Sequence, residues 1–132
     1  MSPRMTHICL HVKTLDDCVR FYEDYCDMRV IHKNVDGGEG SVYMSEVGRQ
    51  TDIVFQLKSG GDSLTLSDNE ERHFGFAVES KHAVDDIADK ARKENILFFE
   101  PDEYLPGAYL CGVKDPNGNC IEFGYNHPVP PV

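Results

Sequence analysis

Three features that would each assign the chain to a class of protein are missing from it. The longest apolar runs fall far short of the roughly 20 residues that a transmembrane helix needs, and residues 1–6 lack the apolar segment of a secretory signal. With 40% hydrophobic and 27% charged residues, the composition is that of a folded domain rather than a disordered chain. We therefore expect a cytoplasmic protein that does not contact membranes.

Basic residues are also scarce. The chain carries 13 Lys and Arg against 23 Asp and Glu, which gives a formal net charge of −10. This charge would repel the phosphate backbone of a nucleic acid. We therefore expect no nucleic-acid partner.

The cysteines lack the spacings of a disulfide frame or a structural zinc site. Five are present, an odd number, and none belongs to a C-x-x-C pair. They are Cys9, Cys18, Cys26, Cys111 and Cys120. Their apolar neighbours predict reduced thiols in a buried environment.

What the chain does contain is a repeat of itself. The two halves of the 132-residue sequence align without a gap at an offset of 66 residues, so that His7 falls on His73 and Val12 on Val78. The same offset places Tyr43 on Tyr109. Such a long period is typical of a duplicated domain half. We predict one domain, residues 1–132, made of two modules, about 5–66 and about 71–126.

Each module has the pattern of a strand, a helix and three further strands, an α+β fold. In the first module we expect a strand over Thr6–Lys13, a helix over Leu15–Tyr25 with Thr14 as its N-cap, and strands over Arg29–Asn34, Ser41–Val47 and Asp52–Lys58. In the second we expect a strand over Arg72–Glu79, a helix over Lys81–Glu94, and strands over Ile96–Phe99, Ala108–Lys114 and Asn119–Tyr125. The turn Asp115-Pro116-Asn117-Gly118 separates the last two strands.

Alternation along the strands places potential ligands on the face opposite the helix. If Ile8, Leu10 and Val12 pack against the helix, the side chains of His7 and His11 point the other way. The same rule exposes Gln56, Lys58, His73 and Glu122 on the open faces, among small residues. That composition is typical of a cavity with a polar focus, where a small-molecule substrate would bind.

Four of these residues form two pairs at the repeat offset. His7 matches His73 and Gln56 matches Glu122, each 66 residues apart. A two-fold arrangement of the modules would bring them together. Two imidazoles, an amide oxygen and a carboxylate suit a borderline divalent metal such as Zn, Ni, Co, Mn or Fe(II).

Several of these features together resemble the vicinal oxygen chelate superfamily. They are His7 and His73 at the starts of their strands, Phe21-Tyr22 in the first helix, and the stretch Asp115-Pro116-Asn117-Gly118-Asn119-Cys120-Ile121-Glu122. The resemblance spans residues 5–126, and within the superfamily the chain is most similar to glyoxalase I, the lactoylglutathione lyase. It implies two tandem βαβββ modules that form a curved mixed sheet around a metal-centred cavity. It also implies that His7, Gln56, His73 and Glu122 hold the metal.

The chain departs from bacterial glyoxalase I at three positions. Gln56 stands where those enzymes typically have glutamate, His11 where an arginine holds glutathione, and Gly60 where they have asparagine. Glutamine does occur as a ligand in the family and in the related methylmalonyl-CoA epimerases. The substrate is therefore open between a glutathione adduct and another compound with two vicinal oxygens.

The resemblance also implies a mechanism. A metal with one carboxylate ligand would stabilise a substrate ene-diolate, while Glu122 takes a proton from one carbon and returns it to the next. Gln56 cannot act as a base. Glu39, before the third strand, is a candidate second base, and His11 and Lys58 are candidates to orient an anionic substrate.

Other functions of the same fold stay open. They are a metal-dependent epimerase acting beside a thioester, an extradiol dioxygenase with His7, His73 and Glu122 on Fe(II), and a metal-free module that binds a drug or metabolite. A homodimer is expected, because domains of this type commonly dimerise. His32, His82 and His127 are expected to be surface residues.

Overall fold

The computed structural model describes residues 1–67 and 70–128. The chain forms two compact units, Met1–Leu64 and Thr65–Val132. Each unit contains one helix and one four-stranded mixed sheet, so the predicted α+β class is confirmed.

The first unit has the element order predicted for it. Its elements are β1 (His7–His11), α1 (Leu15–Cys26), β2 (Met28–Asp36), β3 (Glu39–Glu46) and β4 (Val54–Lys58). The strands are ordered β1-β4-β3-β2. β1 runs parallel to β4, and the other neighbours are antiparallel.

The second unit repeats this arrangement. Its elements are β5 (His73–Ala77), α2 (Lys81–Lys93), β6 (Leu97–Leu105), β7 (Ala108–Lys114) and β8 (Cys120–Tyr125). The strands are ordered β5-β8-β7-β6, with β5 parallel to β8. The parallel pair therefore joins the first and last strands of each unit.

Each helix packs one apolar stripe against its own sheet. In α1 the stripe is Cys18, Phe21 and Tyr22, and in α2 it is Val84, Ala88 and Ala91, all of them buried. The facing strands contribute buried side chains that include Val42, Met44, Leu57, Leu110, Val113, Ile121 and Phe123. Burying each large apolar side chain stabilises the fold by about 1.5–3 kcal/mol, so the two stripes fix which sheet face is left for chemistry.

The helix ends differ between the units. Thr14, the predicted N-cap of α1, makes no side-chain capping hydrogen bond, so that prediction is wrong in its mechanism. At the start of α2, the Ser80 hydroxyl accepts a hydrogen bond from the Ala83 amide at 3.0 Å. α2 ends in a Schellman turn, with Asn95 at φ 60 and the Ile96 amide bonded to the Ala91 carbonyl at 2.9 Å.

The parallel strand pairs share one register at the predicted offset. His7 lies opposite Val54 and Gln56 opposite Cys9. The residues 66 positions later pair in the same way, with His73 opposite Cys120 and Glu122 opposite Gly75. The repeat is therefore reproduced in the two strands of each unit that carry the predicted ligands.

The antiparallel hairpins do not follow that offset. β2 and β3 begin at residues 28 and 39, whereas β6 and β7 begin at residues 97 and 108, each 69 residues later. The three additional positions arise where the Schellman turn links α2 to β6. The gap-free alignment is wrong in this region.

The shift changes which residues face the predicted ligands across the sheet. Tyr43 lies opposite Gln56, but Gly112 lies opposite Glu122. Tyr109, the residue aligned with Tyr43 in the sequence, pairs instead with Tyr125. The predicted equivalence of Tyr43 and Tyr109 is therefore wrong.

Candidate functional site

In the second unit, His73 and Glu122 meet on the open face of the β5–β8 pair. His73 Nε2 lies 3.2 Å from Glu122 Oε2. The histidine side chain is 43% exposed and the glutamate side chain 14% exposed. The carboxylate is thus largely removed from solvent while remaining next to an accessible imidazole.

The other ring nitrogen of His73 fixes the orientation of the imidazole. Nδ1 lies 2.6 Å from the Glu71 carbonyl oxygen, which can only accept a hydrogen bond. Nδ1 therefore carries the proton, and in the neutral ring the lone pair of Nε2 faces Glu122. A nitrogen lone pair beside a carboxylate oxygen is stable when a cation lies between them. This is also the tautomer in which histidine binds metal ions.

In the first unit, His7 and Gln56 occupy the equivalent positions. His7 Nδ1 lies 2.9 Å from the Thr6 hydroxyl oxygen, which again leaves Nε2 available. Gln56 Nε2 donates to the Ser41 hydroxyl oxygen at 3.0 Å. Among the described residues no hydrogen-bond partner is recorded for the amide oxygen of Gln56, which is the atom that could act as a ligand.

The donor chemistry of both pairs fits a borderline divalent metal ion. Imidazole nitrogen, amide oxygen and carboxylate oxygen are ligands of such ions, and a hydrogen bond on the second imidazole nitrogen is typical of ligating histidine. Within residues 1–67 and 70–128, no group of three or more His, Cys, Asp and Glu lies close enough to hold a metal ion. The four-residue ligand set therefore stays a prediction, for which each unit supplies one pair.

His127 contacts Glu122 from the other side, which the sequence did not predict. His127 Nε2 lies 3.5 Å from Glu122 Oε1, and its side chain is only 28% exposed. The prediction of a surface residue is wrong for His127. It describes His82 better, because His82 is 86% exposed and pairs with Asp86 on α2.

His11 and Lys58 lie side by side where β1 and β4 end. They are directly opposite each other in the register, and both are exposed. His11 Nε2 lies 3.0 Å from the Ser59 carbonyl oxygen. Lys58 follows Gln56 by two residues and so lies on the same face of the strand.

Glu39 is the first residue of β3 rather than a loop residue before it. Its Oε2 accepts a hydrogen bond from the Ser59 hydroxyl at 2.9 Å, and that hydroxyl accepts one from the Gly40 amide at 2.8 Å. The predicted position was therefore wrong by one element. The carboxylate is fixed near the end of β4, close in sequence to Lys58.

The cysteines are free thiols in two different environments. Burial raises the pKa of the Cys120 thiol to about 11 and that of Cys111 to about 12, so both stay protonated near neutral pH. Cys9 is exposed and lies opposite Gln56. The prediction of apolar surroundings is wrong for Cys9, because it lies on the open face of an edge strand.

The Asp-Pro-Asn-Gly turn positions the strand that carries Glu122. Asp115 is buried, and its Oδ1 accepts hydrogen bonds from the Asn117 amide at 2.9 Å and the Asn119 amide at 2.8 Å. Asn119 Nδ2 also donates to Asp115 Oδ2 at 2.9 Å. These bonds fix the start of β8 immediately before Cys120.

The family is shown by the sequence. Residues 4–123 match the Glyoxalase/Bleomycin resistance protein/Dioxygenase superfamily. The chain therefore belongs to this superfamily, which contains many enzymes, glyoxalase I among them.

Individual relatives agree in fold and leave the activity open. The uncharacterized protein PA2024 of Pseudomonas aeruginosa is 44% identical over 99% of this chain and 94% of its own. The lactoylglutathione lyase of Agrobacterium tumefaciens is 20% identical, covers 95% of both chains and has a TM-score of 0.64. The fosfomycin resistance protein FosX of Listeria monocytogenes, solved with Mn(II) and sulfate, is 18% identical, covers 96% of this chain and 95% of its own, and has a TM-score of 0.72.

The described part of the chain contains no helix that is both long and apolar enough to span a membrane.

Proposed function

We propose that the protein is a metal-dependent lyase or isomerase of the glyoxalase type. Its substrate is a small molecule with two vicinal oxygens, such as the hemithioacetal of methylglyoxal and glutathione. The observation that carries the proposal is the His73–Glu122 pair, with Nε2 and Oε2 3.2 Å apart and the Nδ1 proton held by a carbonyl. The equivalent pair in the first unit supports it, because His7 and Gln56 have the same register.

In this proposal His7, Gln56, His73 and Glu122 together hold one divalent ion, of Zn, Ni, Co, Mn or Fe(II). Three of the ligands are neutral and one is a carboxylate, so about one unit of positive charge is left on the centre. A bound ion supplies positive charge beside the two substrate oxygens, which lowers the free energy of the negative charge that develops when the adjacent C–H bond breaks.

Glu122 is the group that moves the proton. Its carboxylate takes a proton from one substrate carbon and returns it to the neighbouring carbon, first as a base and then as an acid. Gln56 has no basic lone pair and stays a ligand, held by the Ser41 hydroxyl. His11 and Lys58, at the same sheet face, orient an anionic part of the substrate.

The test is metal content followed by turnover. We would measure bound metal by plasma mass spectrometry in the wild type and in Glu122→Ala, and then measure isomerisation of the hemithioacetal with the metal restored. One metal per chain in the wild type, lost in the variant, together with turnover supports the proposal. A wild type that binds no metal contradicts it and favours a metal-free binding module.

A second candidate is an epimerase that acts beside a thioester carbonyl. It is favoured by Gln56, since a neutral amide ligand leaves Glu122 as the one carboxylate of the set. It needs the same proton transfer, in which the proton returns to the opposite face of one carbon. Metal binding without turnover of the hemithioacetal, together with epimerisation of a 2-methyl-branched acyl-CoA, would favour this candidate. Cleavage of catechols by the iron-loaded protein would favour a dioxygenase.

A further inference from the structure

A turn after β8 sends the chain back over the strand that carries Glu122. Asn126 has φ 60, in the left-handed region that Asn tolerates better than most residues. Its Nδ2 donates to the Gly107 carbonyl oxygen at 2.9 Å, which anchors the turn to the β6–β7 connection. Pro128 follows and restricts the backbone of His127 to extended conformations.

Gly124 provides the space for this return. A Cβ built on Gly124 would lie 3.7 Å from the Cβ of His127 and 3.4 Å from that of Leu110. A methyl group would fill the available volume, and a larger side chain would displace His127. Gly124 lies two residues after Glu122 and on the same face of β8, so His127 comes to rest beside the carboxylate.

The Glu122 carboxylate is consequently contacted at both oxygens. His73 Nε2 lies 3.2 Å from Oε2, and His127 Nε2 lies 3.5 Å from Oε1. At 14% exposure, the carboxylate would exchange few of these contacts for water. The two histidines hold the carboxylate plane between them.

We propose that His127 is a positioning residue for Glu122. It holds Oε1, so that Oε2 stays aligned with His73 and the carboxylate keeps a partner while it gains and loses the substrate proton. This inference rests on the proposed function for the role of Glu122. The contact between His127 and Glu122 can be tested without it.

The test compares His127→Ala and His127→Gln with a matched control, His82→Ala. His82 makes a similar contact, with Nε2 3.4 Å from Asp86 Oδ2, but on the exposed face of α2. The readouts are the dissociation constant and absorption spectrum of added Co(II), and kcat and KM for the hemithioacetal.

We expect His127→Ala to lower Co(II) affinity or kcat by about 10- to 100-fold, the usual effect of removing a partner of a metal ligand. KM should change little, because His127 does not touch the substrate. His127→Gln, which keeps a side-chain N–H donor, should recover most of the loss, and His82→Ala should equal the wild type. His127→Ala with wild-type Co(II) binding and kcat would overturn the proposal, as would an equal loss in His127→Gln.

A metal-free experiment separates this proposal from the proposed function. The unfolding equilibrium of the apoprotein is measured for Glu122→Gln, His127→Ala and the double variant. If the residues are coupled, the double variant changes the equilibrium constant by less than the product of the two single changes. If the changes multiply, His127 does not position Glu122. A wild type that binds no Co(II) contradicts the proposed function, and the apoprotein cycle then decides the contact by itself.

Discussion

The ligand pair of the first unit is His7 and Gln56, and that of the second is His73 and Glu122, at the same register of parallel strands. Their surroundings differ in kind. The Gln56 amide is held by the Ser41 hydroxyl, whereas the Glu122 carboxylate lies between two imidazoles. The comparison teaches that the repeat preserves the geometry of the strands and divides the chemistry. One unit offers neutral ligands, and the other offers the group that exchanges a proton.

A second difference concerns what lies across the sheet from each ligand. Tyr43 faces Gln56, whereas Gly112 faces Glu122 because the β6–β7 hairpin is displaced by three residues. The ring of Phe99 occupies the volume that a side chain at position 112 would need. The two ligands therefore have different neighbours although their own strands match.

The division of chemistry is tested most directly by exchanging the amide and the carboxylate. We expect Glu122→Gln to lower kcat by about 10²- to 10⁴-fold, because the variant loses the general base. Bound metal should be retained, since an amide oxygen can serve as a ligand, as we propose for Gln56. The measurements are metal content and steady-state turnover of the hemithioacetal.

Gln56→Glu is the matched control for this exchange. It should keep kcat within about tenfold of the wild type, because it adds a carboxylate to the first unit without removing the one in the second. If Gln56→Glu instead restored turnover to a Glu122→Gln background, either unit could supply the base, and the asymmetry that we describe would not exist.

The displaced hairpin predicts that position 112 tolerates only glycine. We expect Gly112→Ala to lower the free energy of unfolding by about 1–3 kcal/mol, because its methyl group would overlap the Phe99 ring. Denaturant unfolding measures this change. In a Phe99→Ala background the same substitution should be nearly neutral, and an undiminished loss there would show that the ring is not the cause.

The smallest expected effect concerns Tyr109 and separates it from Tyr43. A hydrogen bond to Asp85 raises the pKa of Tyr109 to about 12, whereas the Tyr43 ring packs against His32 at 5.5 Å. Because the raised pKa favours the protonated phenol in the folded state, this stabilisation is present below about pH 10 and is lost as the pH rises through about 12.

Asp85→Asn should therefore lower the pKa of Tyr109 towards its ordinary value of about 10. The tyrosinate absorbance of Tyr109, isolated as the difference from Tyr109→Phe during a base titration, gives this pKa. Asp86→Asn is the control, since Asp86 pairs with His82 instead. An equal shift in both variants would assign the effect to the general acidity of α2.

The elements that could be predicted are those governed by local periodicity. Both helices begin at the predicted residues, and the alternation of β1, β4, β5 and β8 assigned the ligands to the correct faces. β6 was predicted to end at Phe99 but continues to Leu105. It continues through Pro101 because β6 is an edge strand, where a missing backbone N–H leaves no neighbour unsatisfied.

The features that could not be predicted depend on contacts between distant residues. The position of His127 requires Asn126 to adopt a positive φ and to bond to Gly107, 19 residues away in sequence. The one available signal is the order Asn-His-Pro directly after a strand, which is compatible with a turn but does not specify its partner. The hairpin displacement was hidden because the shared tyrosine made the gap-free alignment look complete.

The linkers around the displaced hairpin are short, and their lengths differ between the units. One residue links α1 to β2 but three link α2 to β6, and seven link β3 to β4 but five link β7 to β8. Lengthening one connection and shortening the other slides the hairpin along β8 as a rigid piece, while the parallel ligand strands keep their register. In this architecture, loop length alone can exchange the residue that faces a ligand. Specificity can thus diverge between related chains whose ligands are identical.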